Sequence, residues 1–306
     1  MQAATYAEYS ADNSHLTIGE VPDPKVGPGQ VLIEVRAAGV NPVDWKVMAG
    51  GLDAMMDTVF PAIPGWDVAG VVRGAGPDTP EFAAGDEVMA YARKDAVQAG
   101  TFAQLVSVSA RDVARKPAAL DWPQAGGLPL AGLTALRSSD ALRIGSRDSL
   151  LVHAAAGGVG SMAVQIARAR GARVIGTASE RNHDYLRSLG AEPVAYGEGL
   201  VERVRALEPE GVTTVLDCVG GQLETTLAVL AEGGRHVSIA DPAVTRHGGR
   251  WIWVRPDGAG LAELGYLADR GLLKVEVAQT FPLSEVGAAF DLSRTGGVRG
   301  KLVIVP

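Results

Sequence analysis

The run HAAAGGVGSMAVQIARARGARVIGTAS, His153 to Ser179, decides how the rest of the chain is read. It follows the short apolar segment SLLVHA with three glycines, Gly157, Gly158 and Gly160. An amphipathic stretch then ends at Gly171, and β-branched residues return in ARVIGTAS. Strand, glycine turn, helix and strand in that order make a parallel βαβ unit. The glycines follow Ala155-x-Gly157-x-x-Gly160, a variant of the dinucleotide-binding fingerprint with alanine in first place. Small residues are needed there because the turn is tight, a pyrophosphate approaches the backbone, and the helix packs closely on its strand. The helix start offers unpaired N–H groups and the positive end of its dipole to an anion. Ala155, Gly157, Gly158, Val159 and Gly160 are therefore candidate phosphate-binding residues. A plain strand-to-helix turn would also be rich in small residues, but here the flanking strand and helix are both present and favour the nucleotide.

Cofactor choice turns on the end of the next strand, roughly 20 residues beyond the loop, where an acid would hold the ribose hydroxyl of NAD. This chain reads GTASERNH, with Ala178 and Ser179 at that place. Ser179 and Arg181, with His183 nearby, suit a 2′-phosphate held by charge-assisted hydrogen bonds. Glu180 is a complication, since an adjacent acid can serve a ribose, and Arg181 and His183 also fit a solvated helix start. NADPH is the expected cofactor.

Working outward, residues 1–120 have the texture of short alternating strands broken by turns such as PDPKVGPGQ and RGAGPDTPEFAAGD. That predicts a β-rich, barrel-like domain with few helices. Residues 121–271 alternate strand and helix through TTVLDCV, GQLETTLAVLAEG, RHVSIA and RWIWV, which implies a doubly wound parallel sheet. Residues 272–306 return to β texture and are expected to rejoin the first domain. The fold class is α/β: one domain from 1–120 and 272–306, a nucleotide domain from 121–271, and a cleft expected where they meet.

Charge and composition narrow the function. A formal charge of −7 argues against a nucleic-acid surface, which needs a concentrated basic face. No run approaches the roughly 18 apolar residues of a membrane span, and the opening MQAATYAEYS has no signal-peptide pattern, so a cytoplasmic location is expected. The single cysteine, Cys218, excludes an internal disulfide and a multi-cysteine zinc site. His15, His153, His183, His236 and His247 never fall at ligand spacing, so no metal is expected.

The segments AAGVNPVDWK, PGWDVAGVV, GDEVMAYA, LPLAGLTAL, HAAAGGVGSMAVQIA, LDCVGG, GRHVSI and GKLVIVP, in this order, carry a resemblance that runs nearly end to end. The chain resembles the zinc-independent medium-chain dehydrogenase/reductases of the quinone oxidoreductase (zeta-crystallin-like) and alkenal/enone reductase group. The resemblance implies a GroES-like N-terminal domain and a Rossmann domain with strand order 3-2-1-4-5-6. Zinc-using homologues place a cysteine where Asn41 stands and GHE where Gly65-Trp66-Asp67 stands, and their cysteine-rich lobe is absent around YARKDAVQAG.

By the same resemblance, Asn41 and Asp44 lie beside nicotinamide and substrate, Thr134 near the carboxamide and Tyr196 near the adenosine phosphate. Cys218, Val219, Ile239 and Ala240 border the nicotinamide ribose, and Lys301 follows the terminal strand at the same cleft. Asn41 and Asp44 equally suit the cap of a helix starting near Pro42, and Cys218 suits a small buried hydrophobe. His153 and Tyr91 fit core or cleft alike.

The expected chemistry is hydride transfer from NADPH to the β-carbon of an enone or enal, or to a quinone, without metal. Positioning would supply much of the rate. Asn41, and more weakly Lys46, are nominated to stabilise the oxyanion, and Asp44 to organise the water that returns a proton. The alternatives are a biosynthetic enoyl reductase acting on a polyketide-like intermediate and a non-catalytic NADPH-binding protein. RWIWV, with Trp251 and Trp253, reads as a sheet edge that pairs in a homodimer.

Overall fold

A computed structural model describes residues 1–306. In chain order the first strands are β1 (Gln2–Thr5), β2 (Thr17–Glu20), β3 (Gln30–Val40), β4 (Thr58–Ile63), β5 (Asp67–Ala75), β6 (Glu87–Tyr91), β7 (Val97–Ala99), β8 (Leu105–Ser109) and β9 (Val113–Arg115). Six more follow: β10 (Ser149–His153), β11 (Arg173–Ala178), β12 (Glu192–Ala195), β13 (Val212–Asp217), β14 (Leu230–Ser238) and β15 (Arg250–Trp251). The last two are β16 (Val277–Pro282) and β17 (Lys301–Val305). The helices are α1 (Pro42–Met48), α2 (Trp122–Gly127), α3 (Pro129–Ala141), α4 (Gly158–Ala169), α5 (His183–Ser188), α6 (Leu200–Leu207), α7 (Leu223–Val229), α8 (Gly258–Asp269) and α9 (Val286–Thr295). No helix is long and apolar enough to cross a membrane.

The chain divides into two compact units. Unit 1 comprises Met1–Leu133, Arg255–Gly271 and Val275–Pro306, and unit 2 comprises Thr134–Val254 and Leu272–Lys274. Residues 121–133 and 255–271, grouped by sequence texture with the nucleotide domain, pack within unit 1.

Unit 1 is built on a sheet in the order β16-β17-β3-β5-β6-β9, with β8 added on β3. Within that sheet all ladders are antiparallel except β16 on β17. In β3, Val31, Ile33 and Val35 alternate inward while Glu34 turns out to meet Arg36 at 2.9 Å and Arg73 at 3.0 Å. The alternation stops at Ala37, from which point every residue through Asn41 is buried. The cause is α2, which lies directly on the strand through small residues. A Cβ on Gly126 would stand 2.7 Å from Ala37 Cβ, and one on Gly39 would stand 2.6 Å from Gly126 O. This close approach draws α2 into unit 1 and carries Asn41, just past β3, into the interior. On the other side, Gly258 at the start of α8 abuts the carbonyls of Arg111 and Val113, each 2.6 Å from where a Cβ would sit.

Unit 2 is a parallel sheet in the order β12-β11-β10-β13-β14-β15. Numbered within the sheet, this is 3-2-1-4-5-6, the order the resemblance implies. The architecture is therefore the expected α/β pair of a GroES-like β-rich unit and a Rossmann sheet. β10 is buried along its whole length, as a central strand covered on both faces must be. Leu151, Ile175 and Val215 form the middle of a core completed by Val194, Leu200, Val204 and Val229.

Two local expectations differ. The helix expected across GQLETTLAVLAEG ends at Val229, and β14 begins at Leu230. The β13–β14 ladder then slips around Gly233, whose φ of 70° favours glycine. Of RWIWV, only Arg250 and Trp251 pair as a strand, at the edge of the sheet.

Candidate functional site

In unit 2 the glycine turn leaves β10 at His153. Its backbone is tied to β11 by Ala155 N–H donating to Thr177 O at 2.9 Å and Ala154 N–H donating to Thr177 Oγ1 at 3.1 Å. Ala155 is fully buried, and Gly176 opposite has no room for a side chain, since its Cβ would fall 2.8 Å from Ala155 Cβ. A Cβ on Gly160 would fall 2.3 Å from Ala154 O, whereas one on Gly157 meets nothing nearer than 3.4 Å. Gly160 is thus fixed by helix–strand packing, while Gly157 leaves open space over the turn. Gly157 is the N-cap of α4 and offers no side chain to the first-turn amides of Gly158, Val159 and Gly160, which have no carbonyl partner within the helix. A cradle that a Cβ would fill, together with unpaired amides, fits a dinucleotide pyrophosphate.

The strands of this sheet end level with one another, since Ala178 stands opposite Ala195, His153 opposite Asp217, and Asp217 opposite Ser238. Most of the nominated cofactor residues therefore gather at one edge. Ala178 is buried, Ser179 is half-buried and Arg181 is exposed on the short turn Glu180–Asn182. Tyr196 is 63% exposed, Val219 57% exposed, Cys218 and Ile239 part-buried and Ala240 exposed. Burial pushes the Cys218 thiol well above the usual range, which makes it an unreactive group at neutral pH. Thr134 is buried at the start of unit 2.

Asp217, which sequence reasoning did not nominate, shapes this edge. Its Oδ1 accepts the N–H groups of Val219 and Gly220, each at 2.9 Å, and its Oδ2 accepts Ser238 Oγ at 2.9 Å. Ser238 Oγ in turn accepts the N–H groups of Ala240 and Asp241 at 3.2 and 3.0 Å. One buried pair thereby sets both loops. The available signal was an acid closing an apolar strand just before a glycine turn, where Asp caps the backbone. His153 lies in the core of unit 2, 3.5 Å from Thr226 Oγ1, with its pKa pushed down to about 4 by burial against an opposing pull from Asp217.

Unit 1 gathers a second group. Asn41 is the N-cap residue of α1 with no side-chain bond to the first-turn amides, and Asp44 reaches back so that its Oδ2 accepts Asn41 N–H at 2.7 Å. Of the cap that the sequence offered, the structure shows the Asp44 half alone. The Asn41 amide turns the other way: Nδ2 donates to Asp67 Oδ2 at 2.8 Å, and Oδ1 accepts the Lys301 ammonium. Its second N–H meets only Gly39 O, at 3.4 Å. Lys301 Nζ also donates to Val40 O at 3.0 Å and lies 3.9 Å from Asp67 Oδ2, while Asp67 Oδ1 accepts Leu130 N–H at 2.7 Å. All four side chains are buried, and Asp44 Oδ1 alone lacks a partner.

Burial raises the Asp67 pKa to about 6 against the opposing pulls of Lys301, Asn41 and the Leu130 amide. Burial, with Asp67 adding to it, raises Asp44, and burial lowers Lys301. The structure thus places Lys301 with Asn41, Asp44 and Asp67 in the interior of unit 1. Asp67 was visible in sequence only as an acid inside the apolar strand WDVAGVV, a position that demands a buried partner.

Lys46 does not join this group. Two residues beyond Asp44 is about 200° around a helix, and Lys46 is exposed, its ammonium 5.4 Å from the Trp45 ring. Tyr91, left open by the sequence, is buried in unit 1 with its ring 6.2 Å from Trp66. No three His, Cys, Asp or Glu side chains come together as a metal site would require.

Comparison with known proteins adds to this geometry. The alcohol dehydrogenase GroES-like domain family matches residues 27–118 and the zinc-binding dehydrogenase family matches residues 158–247. The chain is 35% identical over 315 residues to an NADPH-dependent alkenal/one oxidoreductase, chloroplastic, of Arabidopsis thaliana, covering all of this chain and 80% of that one. The solved structure of the quinone oxidoreductase from Coxiella burnetii superposes with a TM-score of 0.87 at 32% identity, over 100% of this chain and 99% of the other. A mycobacterial protein solved in complex with NADPH superposes with a TM-score of 0.86 at 27% identity, over the whole of both chains.

Proposed function

Because the chain belongs to the medium-chain dehydrogenase/reductase family, in its quinone oxidoreductase and alkenal/enone reductase group, we propose that it is an NADPH-dependent reductase of conjugated carbonyl compounds or quinones that works without zinc. The observation that carries this reading is the open turn over Gly157, followed by a strand that ends at Ala178, with Ser179 and not an acid next. Ala155 to Gly160 would hold the pyrophosphate on backbone amides, Ser179 and Arg181 the 2′-phosphate, and Tyr196 the adenosine side. Thr134, Cys218, Val219, Ile239 and Ala240 would border the nicotinamide. A bound, reduced nicotinamide supplies the hydride.

The residues of unit 1 do the rest. Asp67 and Lys301 hold the Asn41 amide in one orientation, and its second N–H, engaged only at 3.4 Å, is the donor nominated for the developing enolate oxygen. Asp44, with Oδ1 unpartnered, would organise the water that returns a proton to the α-carbon. Lys46, on the exposed face of α1, has the weakest support. Asn41 and Trp66, standing where zinc-using homologues carry Cys and His, support a reaction without metal. The decisive experiment follows NADPH absorbance with a panel of enones, enals and quinones. Oxidation that requires a conjugated acceptor supports the proposal, and tight NADPH binding with no oxidation favours the non-catalytic reading. The edge position of β15, with Trp251 36% and Trp253 40% exposed and their rings 5.7 Å apart, supports a homodimer.

A further inference from the structure

The strand β6 delivers its last residue, Tyr91, directly opposite Asp67 on β5, and Ala92 N–H then donates to Trp66 O at 2.6 Å. The Tyr91 hydroxyl lies in the field of Arg93, Asp67 and Asp44. Arg93 and Lys94 therefore leave the sheet beside the buried group of unit 1. Both are part-buried, and neither has a carboxylate oxygen within 4.0 Å. Arg93 Nε is buried with no acceptor.

Other buried lysines of unit 1 are treated differently. Lys116 meets Glu87 at 3.2 Å and the carbonyls of Pro117 and Leu120 at 3.2 and 2.9 Å, and Lys301 has Val40 O and Asn41 Oδ1. Lys94 has none of this, and burial lowers its pKa with nothing opposing. The nearby acids do not fill the gap. Asp112 feels Arg93 only beyond ion-pair distance and is itself raised by burial, Asp257 accepts Gly260 N–H as the cap of α8, and Asp95 is exposed. Two cations adjacent in sequence, part-buried and with no carboxylate at ion-pair distance, are costly unless an anion completes them.

We propose that Arg93 and Lys94 form an anion subsite, so that the preferred substrate is a conjugated carbonyl compound carrying a negatively charged group, a carboxylate or a phosphate. The planar guanidinium supplies paired N–H donors and the ammonium a mobile point charge, a pairing suited to either anion. This rests on the reductase reading above for the word substrate, but the subsite is testable without turnover. Calorimetry of the NADPH-bound protein would compare 6-oxoheptanoate, its methyl ester and butyryl-CoA, none of which has a double bond conjugated to its carbonyl. Binding of the acid about tenfold tighter than the ester, lost in Arg93→Gln/Lys94→Gln and weakened by salt, supports a carboxylate. Binding of butyryl-CoA that the same variant loses, with no preference for the acid, assigns the subsite to phosphate. Equal affinity for all three, no binding of any, or a preference unchanged in the variant overturns the inference. With 6-oxohept-4-enoate and its ester as substrates, the variant is expected to raise KM for the acid alone. Turnover of the ester at the same rate as the acid would sink the subsite and leave the reductase reading intact.

Discussion

The two units solve opposite problems with the residues proposed for chemistry. Unit 1 buries Asn41, Asp44, Asp67 and Lys301 and, apart from one oxygen of Asp44, pairs their polar atoms with one another or with the backbone. Unit 2 leaves Arg181, Tyr196, Val219 and Ala240 exposed at the edge of its sheet and keeps its glycine turn empty of side chains. A buried charge network is committed in the folded chain and tolerates little change, since removing one partner strands the other. A backbone cradle is complete only with a ligand and is insensitive to everything but added atoms.

That contrast is broken most directly by stranding a charge. Lys301→Met leaves Asp67 buried without a cation and is expected to lower stability by about 3–5 kcal/mol, read from denaturant unfolding. The double variant Lys301→Met/Asp67→Asn should regain much of that loss, and if it does not, the pair is not a unit. In unit 2, Gly160→Ala drives a Cβ toward the Ala154 carbonyl and should cost about 1–3 kcal/mol. Gly157→Ala meets only ordinary contact in the free protein. Its unfolding midpoint should stay close to wild type while NADPH affinity, measured by calorimetry, falls about tenfold or more. Equal stability losses in the two glycine variants would mean that Gly157 is structural and the cradle reading is wrong.

The pH response sharpens the comparison. Asp67 is raised from its ordinary 3.8 to about 6 in the folded protein, so the native state binds its proton more tightly than the unfolded chain does. Stability from this group is full below pH 3.8 and is lost as pH rises to about 6. The whole effect is about 3 kcal/mol. Unfolding midpoints recorded across that window should fall with rising pH in wild type and fall less steeply in the double variant, which keeps only the contribution of the raised Asp44. The smallest effect is at the open edge: Arg181→Ala should weaken NADPH binding by about 1–2 kcal/mol and leave NADH binding unchanged. A matched loss for both nucleotides would remove Arg181 from 2′-phosphate recognition.

The two units were not equally legible. The sheet of unit 2 could be read because its elements are local: SLLVHA, the three glycines and ARVIGTAS are consecutive, and their order dictates a parallel crossover. Asp67 escaped because its meaning lies in contacts with Asn41 and Lys301, far along the chain, and an acid within WDVAGVV reveals a need for a partner without saying which. The helix α2 was grouped by texture with the residues that follow it, whereas its place on β3 depends on Gly126 meeting Ala37, a contact distant in sequence. Lys46 stood near Asn41 and Asp44 in sequence, yet helical geometry turns it to the opposite side.

The contact between Lys301 and Asn41 spans 260 residues, so it closes one of the largest loops the chain contains. Ordering so long a segment is entropically slow, and contacts of this range form late. The Rossmann sheet, assembled from neighbours, has no such wait. Under the proposed function, dinucleotide binding would therefore report on unit 2 alone and would not test whether the buried group of unit 1 has formed.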